Sequence, residues 1–208
     1  MSLDSAIWRF IANRLQNHHP FEVPMQTPFN ENTERGRFRK AACYTDHALG
    51  DYFRAAKNEP WYDNTLFILV ADHGHRLPNI RNLDLPESKR IPLLFYGNVL
   101  IDSLRGTTID KTDNQNDIAA IILNQLHKSA DGFPRRKDVL NPSTKNFAYY
   151  TNSNVLGWIT PLEKFTYTFA DKSLRNASDT TSMAPLNDSI ILDAKAYLQT
   201  HYRDYLKF

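Results

Sequence analysis

The hydrophobic period changes twice along the chain. From about residue 34 to 57, the apolar positions Phe38, Ala41, Ala48, Leu49, Tyr52 and Ala56 fall at helical spacings. That spacing puts them on one face of a long amphipathic helix. Thr33 stands where an N-cap belongs. Asn58-Glu59-Pro60 stops the helix, because a residue that precedes proline avoids the helical region.

The period is then lost. "TLFILVA" (65–71) and "RIPLLFYG" (90–97) are continuous apolar runs. Such runs suit strands covered on both faces, as in a parallel sheet. A second helix is predicted from about 114 to 127, with Asp113 or Asn114 as cap and Ile118, Ile121, Ile122 and Leu126 inward. Beyond Lys128, "NFAYYT", "VLGWIT" and "KFTYTF" read as three strands of an antiparallel meander. The polar stretch 171–188 reads as a loop. "SIILDAKAYLQTHYRDYL" closes the chain as a helix with Ile190, Ala194, Tyr197, Leu198, Tyr202 and Tyr205 inward. Residues 6–16 fit either a helix face or a short buried strand, and the Pro-rich "NHHPFEVPMQTPFNEN" after them fits an irregular loop. The expected architecture is α/β over residues 1–128, then a small antiparallel sheet packed on a terminal helix over 129–208.

Composition narrows the function. The 208 residues are 41% hydrophobic and 12% aromatic, which is globular rather than disordered. With 25 basic and 23 acidic residues the net charge is +2, so the one-sided basic surface of a nucleic-acid binder is not expected. Arg35, Arg37, Arg39 and Lys40 are read as the solvated start of the long helix. The lone Cys43 excludes an internal disulfide and a multi-cysteine metal site, and is read as a small buried or half-buried residue. No apolar stretch approaches the roughly 20 residues of a membrane span, and there is no secretory signal. "MSLDS" looks like an imposed start.

The chemistry concentrates where "FILVA" runs into Asp72-His73-Gly74-His75. Open parallel sheets bind ligands beyond the carboxyl ends of their strands. A carboxylate beside a neutral imidazole is a ligand pair for Zn²⁺, Mn²⁺ or Mg²⁺, and Gly74 lets the backbone pass close to an ion. The same pair could cap a turn. His75 is read as a surface residue in preference to a third ligand. His18 and His19 lie in the Pro-rich loop, where an imidazole could meet a phosphate or sulfate oxygen or simply face solvent. Asp113, Asn116 and Asp117 are read as helix caps rather than an acidic metal site. His47, His127 and His201 are read as structural.

"LQNHHPFEVP", "YTDHALGDYF", "TLFILVADHG", "RIPLLFYG", "NQNDIAAIILNQL" and "NFAYYTNSNVLGWITP", in that order, resemble the sulfatase and lipoteichoic-acid-synthase (phosphoglycerol transferase) branch of the alkaline phosphatase superfamily. The likeness runs from about Leu15 to Ile159. It implies an alkaline-phosphatase-like α/β fold with a mostly parallel sheet flanked by helices, and it turns residues 9–16 toward a strand. It implies that Asp72 and His73 ligate a divalent metal ion (Mn, Zn, Mg or Ca). It implies that His18 contacts the transferred phosphoryl or sulfuryl group of a sulfate- or phosphate-ester substrate. The metal of that family activates a Thr, Ser or formylglycine nucleophile.

The chain departs from the family in one respect. The nucleophile and first acidic ligand of the family precede the segment matching "NHHPF", and only 17 residues precede His18 here. Cys43 is followed by Tyr-Thr-Asp, so the formylglycine pattern Cys/Ser-x-Pro-x-Arg is absent. The expectation is the C-terminal part of a catalytic domain with no nucleophile and negligible turnover alone. Its expected partner is the N-terminal half, within a parent anchored at the extracytoplasmic face of a bacterial membrane. The competing expectation is a non-catalytic binding module on the same scaffold.

Overall fold

A computed structural model describes residues 20–29, 32–79, 82–133, 136–176 and 188–207. The stretch 6–16, His18 and His19 lie outside the described residues. The chain divides into two compact units, Met1–Arg81 with Ile91–Thr107, and Asn82–Arg90 with Thr108–Phe208.

In the first unit, helix α1 spans Glu34–Ala56. Thr33 Oγ1 accepts the Gly36 N–H at 3.0 Å, satisfying one of the amides that a helix start leaves without a partner. Gly36, Ala41 and Ala56 are its buried positions, and Cys43 is half-buried. Strand β1 is Phe67–Val70 and strand β2 is Leu93–Tyr96. Phe67 lies opposite Tyr96 and Val70 opposite Leu93. The ring of Phe67 meets those of Phe53 and Tyr62 with centroids 5.1 and 5.6 Å away, and the Tyr62 and Tyr96 hydroxyls are 3.1 Å apart.

The described pair is antiparallel, where the apolar runs predict a parallel sheet. A continuous apolar run reports coverage of two faces and is silent on strand direction. A parallel return needs a crossover, usually through a helix. Between Ala71 and Pro92 the described chain holds only a 3₁₀ turn, Pro86–Ser88, and β2 comes back beside β1. Gly97 then ends β2 at φ +143°, where a Cβ would strike the Thr65 carbonyl.

In the second unit, Ala148–Thr151 (β3), Val155–Ile159 (β4), Lys164–Thr168 (β5) and Leu174–Asn176 (β6) form one antiparallel sheet in chain order. Strand β6 falls in the stretch expected to be a loop. Polar composition hides it: Lys172 sits at φ 55°, Ser173 N–H donates to Asp171 Oδ1 at 3.1 Å, and Thr168 N–H donates to the Ser173 carbonyl at 2.9 Å. That tight turn brings Leu174 back to pair with Tyr167.

Helix α3 spans Asp188–Tyr205. Its Ala194 and Leu198 complete a core with Leu156, Trp158 and Phe165, and Ile190 and Tyr197 pack at its edge. Tyr202 and Tyr205, expected inward, are 51% and 71% exposed. A tyrosine tolerates such a position because its hydroxyl can hydrogen-bond to water.

Helix α2 runs Ile118–Gln125, preceded by a 3₁₀ turn at Gln115–Asp117. Asn114 and Asp117 form the capping box, with Asn114 N–H on Asp117 Oδ2 at 2.9 Å. Asp117 is buried and also accepts the Lys137 N–H at 2.8 Å and Nζ at 2.5 Å. These contacts make Asp117 a structural group, as the capping assignment expects.

Candidate functional site

The apolar β1 ends at Val70, and after Ala71 it delivers Asp72 and His73 at its carboxyl end. Both side chains are exposed, at 57% and 61%. They lie side by side, with His73 Nε2 3.8 Å from Asp72 Oδ2. The His73 backbone N–H donates to Asp72 Oδ1 at 3.0 Å and fixes the carboxylate. His73 Nδ1 is 2.8 Å from the Gly74 carbonyl oxygen. A carbonyl only accepts, so a hydrogen bond here has Nδ1 as its donor, with Nε2 on the side of the Asp72 carboxylate.

That is the donor set a borderline or hard divalent cation takes: neutral imidazole nitrogen and carboxylate oxygen, with the far ring nitrogen held by a backbone carbonyl. Two donors at about 2.1 Å from a tetrahedral ion stand roughly 3.4 Å apart. The observed 3.8 Å therefore needs a closure of only a few tenths of an ångström. The pair fits part of a coordination shell. Among the described residues, no group of three His, Cys, Asp or Glu is placed to complete one.

His75 differs from its surface assignment. Its ring stacks on Phe38 of α1, with centroids 4.7 Å apart and planes 13° apart, and meets Phe21 edge-on at 6.0 Å. Its Nδ1 accepts the Leu77 N–H at 3.0 Å. Arg76 forms an ion pair with Glu34 at the start of α1. Phe21, only 4% exposed, is the first well-buried residue after the "NHHP" stretch, and with Arg37 and Lys40 it lines a groove of about 580 Å³.

The Sulfatase family profile matches residues 10–128, more than half of the chain. The chain belongs to the sulfatase family. Its fold is similar to the crystal structure of an alkaline phosphatase superfamily protein from Vibrio parahaemolyticus, with a TM-score of 0.65 at 22% identity, over 92% of this chain and 48% of that one. It is also similar to the lipoteichoic acid synthase LtaP from Listeria monocytogenes, with a TM-score of 0.59 at 19% identity, over 93% of this chain and 52% of that one. The sulfatase-family chain thus spans about half the length of these two structures. The alkaline-phosphatase-like α/β fold expected from the sequence is the observed one.

Sequence reasoning singled out Asp72 and His73 and missed the part played by Phe21 and His75. A signal was available. "HPF" and "DHGH" each place an aromatic ring two residues beyond a histidine, His19 or His73, and two such rings can pack together only if their loops meet.

Among the described residues, no helix of this sulfatase-family protein is long and apolar enough to cross a membrane.

Proposed function

We propose that this chain is the C-terminal part of the catalytic domain of a metal-dependent sulfuric ester hydrolase or phosphoglycerol transferase. Asp72 and His73 supply two of the ligands of a divalent ion (Mn, Zn, Mg or Ca), and His18 contacts the sulfuryl or phosphoryl group. One observation supports this most: His73 Nδ1 lies 2.8 Å from the Gly74 carbonyl and Nε2 3.8 Å from Asp72 Oδ2, just past the end of a strand, in a sulfatase-family chain. A bound cation would act as a Lewis acid on an ester oxygen.

The nucleophile and the remaining ligands belong to the N-terminal half of the domain, so this chain alone turns over negligibly. The parent acts at the extracytoplasmic face of a bacterial membrane. A non-catalytic binding module on the same scaffold is the second reading. It is favoured by the lack of a third metal-ligating side chain beside the pair among the described residues.

Calorimetric titration with Mn²⁺ separates the two. The first reading expects weak binding by the chain, reduced at least tenfold in Asp72→Ala and in His73→Ala. Binding that survives both substitutions, or no binding by the unaltered chain, overturns it in favour of the second. Hydrolysis of an aryl sulfate and of an aryl phosphodiester is expected to match the buffer rate.

A further inference from the structure

Asp72 and His73 cannot be held by their own burial, since both side chains stand more than half in solvent. Their local hydrogen bonds fix each against the other and against Gly74. The next side chain that enters packed surroundings is His75. Three segments distant in sequence meet at its ring: the loop at Phe21, helix α1 at Phe38, and the turn that ends at Leu77. Phe21 and Phe38 also touch each other edge-to-face at 5.7 Å, and Phe21, Ala41 and Leu77 form a common buried cluster.

The loop accepts an unfavourable backbone to reach this place. Phe21 has φ 61°, in the left-handed region that a bulky L-residue rarely adopts. Such a conformation persists only where the surroundings over-determine it. Here they do, since the ring is 4% exposed between Phe38 and His75.

We infer that His75 is a positioning residue, which locks the loop at Pro20–Phe21 onto the turn behind Asp72 and His73 by stacking through its ring and by accepting the Leu77 amide through Nδ1. Its functional consequence rests on the reading of Asp72 and His73 as metal ligands; the docking itself does not. The two halves of the role separate chemically. A phenylalanine at 75 keeps an aromatic face for Phe38 and Phe21 and leaves the Leu77 amide without its acceptor. An asparagine keeps an acceptor two residues before Leu77, as in an Asx turn, and loses the stack. Outer residues that orient metal ligands typically change metal affinity by about 10–100-fold.

The test uses the full chain and its His75→Phe, His75→Asn and His75→Ala forms, with Mn²⁺ as the probe. Without metal, NMR follows the exchange rate of the Leu77 amide and the contact between the Phe21 ring and residue 75. His75→Phe is expected to keep the ring contact and speed Leu77 exchange at least tenfold. His75→Asn is expected to do the reverse, and His75→Ala to lose both. Calorimetry is expected to show Mn²⁺ affinity lowered about tenfold in His75→Ala, and less in the two partial replacements. Lower melting temperatures with unchanged Mn²⁺ affinity, while Asp72→Ala still abolishes binding, overturn the positioning role and spare the metal reading. Ring and amide signals that do not respond to the substitutions overturn the docking whatever the metal does. An unaltered chain that binds no Mn²⁺ overturns the metal reading and, with it, the positioning of a metal site.

Discussion

Four of the five residues of β4 are buried, whereas neither β1 nor β2 has a single fully buried residue. The contrast runs against sequence hydrophobicity. "FILV" and "LLFY" are apolar at every position, while β5 alternates Lys164, Thr166 and Thr168 with Phe165 and Tyr167. What separates them is cover. The meander has α3 across one face and closes a core around Phe165, which is 0% exposed. The β1–β2 ribbon leaves Val70 42% and Leu94 53% exposed. The second unit therefore carries packing free energy, and the rim of the first carries chemically competent groups in solvent. Functional loops are commonly drawn from the less stable end of a structure.

The largest expected effect tests where stability resides. Phe165→Ala is expected to cost about 3–5 kcal/mol, as removal of a buried aromatic ring does, whereas Leu94→Ser on β2 should cost less than about 1 kcal/mol. Urea unfolding followed by tryptophan fluorescence compares them. Equal losses would erase the contrast between the two sheets.

Next is the fit within the meander. Gly157 lies opposite Tyr150, and a Cβ there would collide with the tyrosine ring. The Tyr150 and Thr166 hydroxyls both reach the Asp84 carbonyl, at 2.7 and 3.1 Å, so the ring has little freedom to move aside. Gly157→Ala is expected to cost about 1–3 kcal/mol by overpacking. Part of that loss should be recovered in the double substitution with Tyr150→Ala, measured as a mutant cycle.

A smaller effect depends on pH. Desolvation, reinforced by the neighbouring Asp117 charge and opposed by Lys137, pushes the Asp113 carboxyl up from 3.8 to about 6. Its Oδ2 has no hydrogen-bond partner among the described residues. Because the folded-state value is raised, the contribution of Asp113 to stability is fully present below about pH 4 and is lost as pH rises through about 6. Asp113→Asn removes that titration. With the group only about half buried, the expected gain at pH 7 is on the order of 1 kcal/mol after allowance for solvent screening, shrinking to nothing below about pH 4. A gain that is the same at pH 4 and pH 7 would contradict this. Smallest of all, Tyr205→Ser on the solvent side of α3 should change stability by less than about 0.5 kcal/mol.

These elements also show how far a one-dimensional pattern reaches. Helix α1 with its Thr33 cap, the Asn114–Asp117 capping box and the first three strands of the meander are local structures. Their signals, period and cap chemistry, lie within a few residues of each other. Strand direction in the β1–β2 pair is set by the path of the intervening chain, and no residue in either strand encodes it. The exposure of Tyr202 and Tyr205 depends on what packs against the last turns of α3, which the helical period does not report. For the candidate site, Asp72 and His73 stood out because a strand of apolar residues stops at them. The packing of His75 between Phe21 and Phe38 joins three segments, and that cannot be read from the tetrapeptide in which it sits.

The account turns on whether His73 offers its Nε2 lone pair to a cation beside Asp72. A long-range proton–nitrogen correlation spectrum of the His73 imidazole, before and after addition of Zn²⁺, reads this directly. The expected result is a proton on Nδ1 in the metal-free chain, and a displacement of the Nε2 resonance on addition of the metal that is absent in Asp72→Ala. A proton on Nε2, or a His73 spectrum unmoved by the metal, contradicts it.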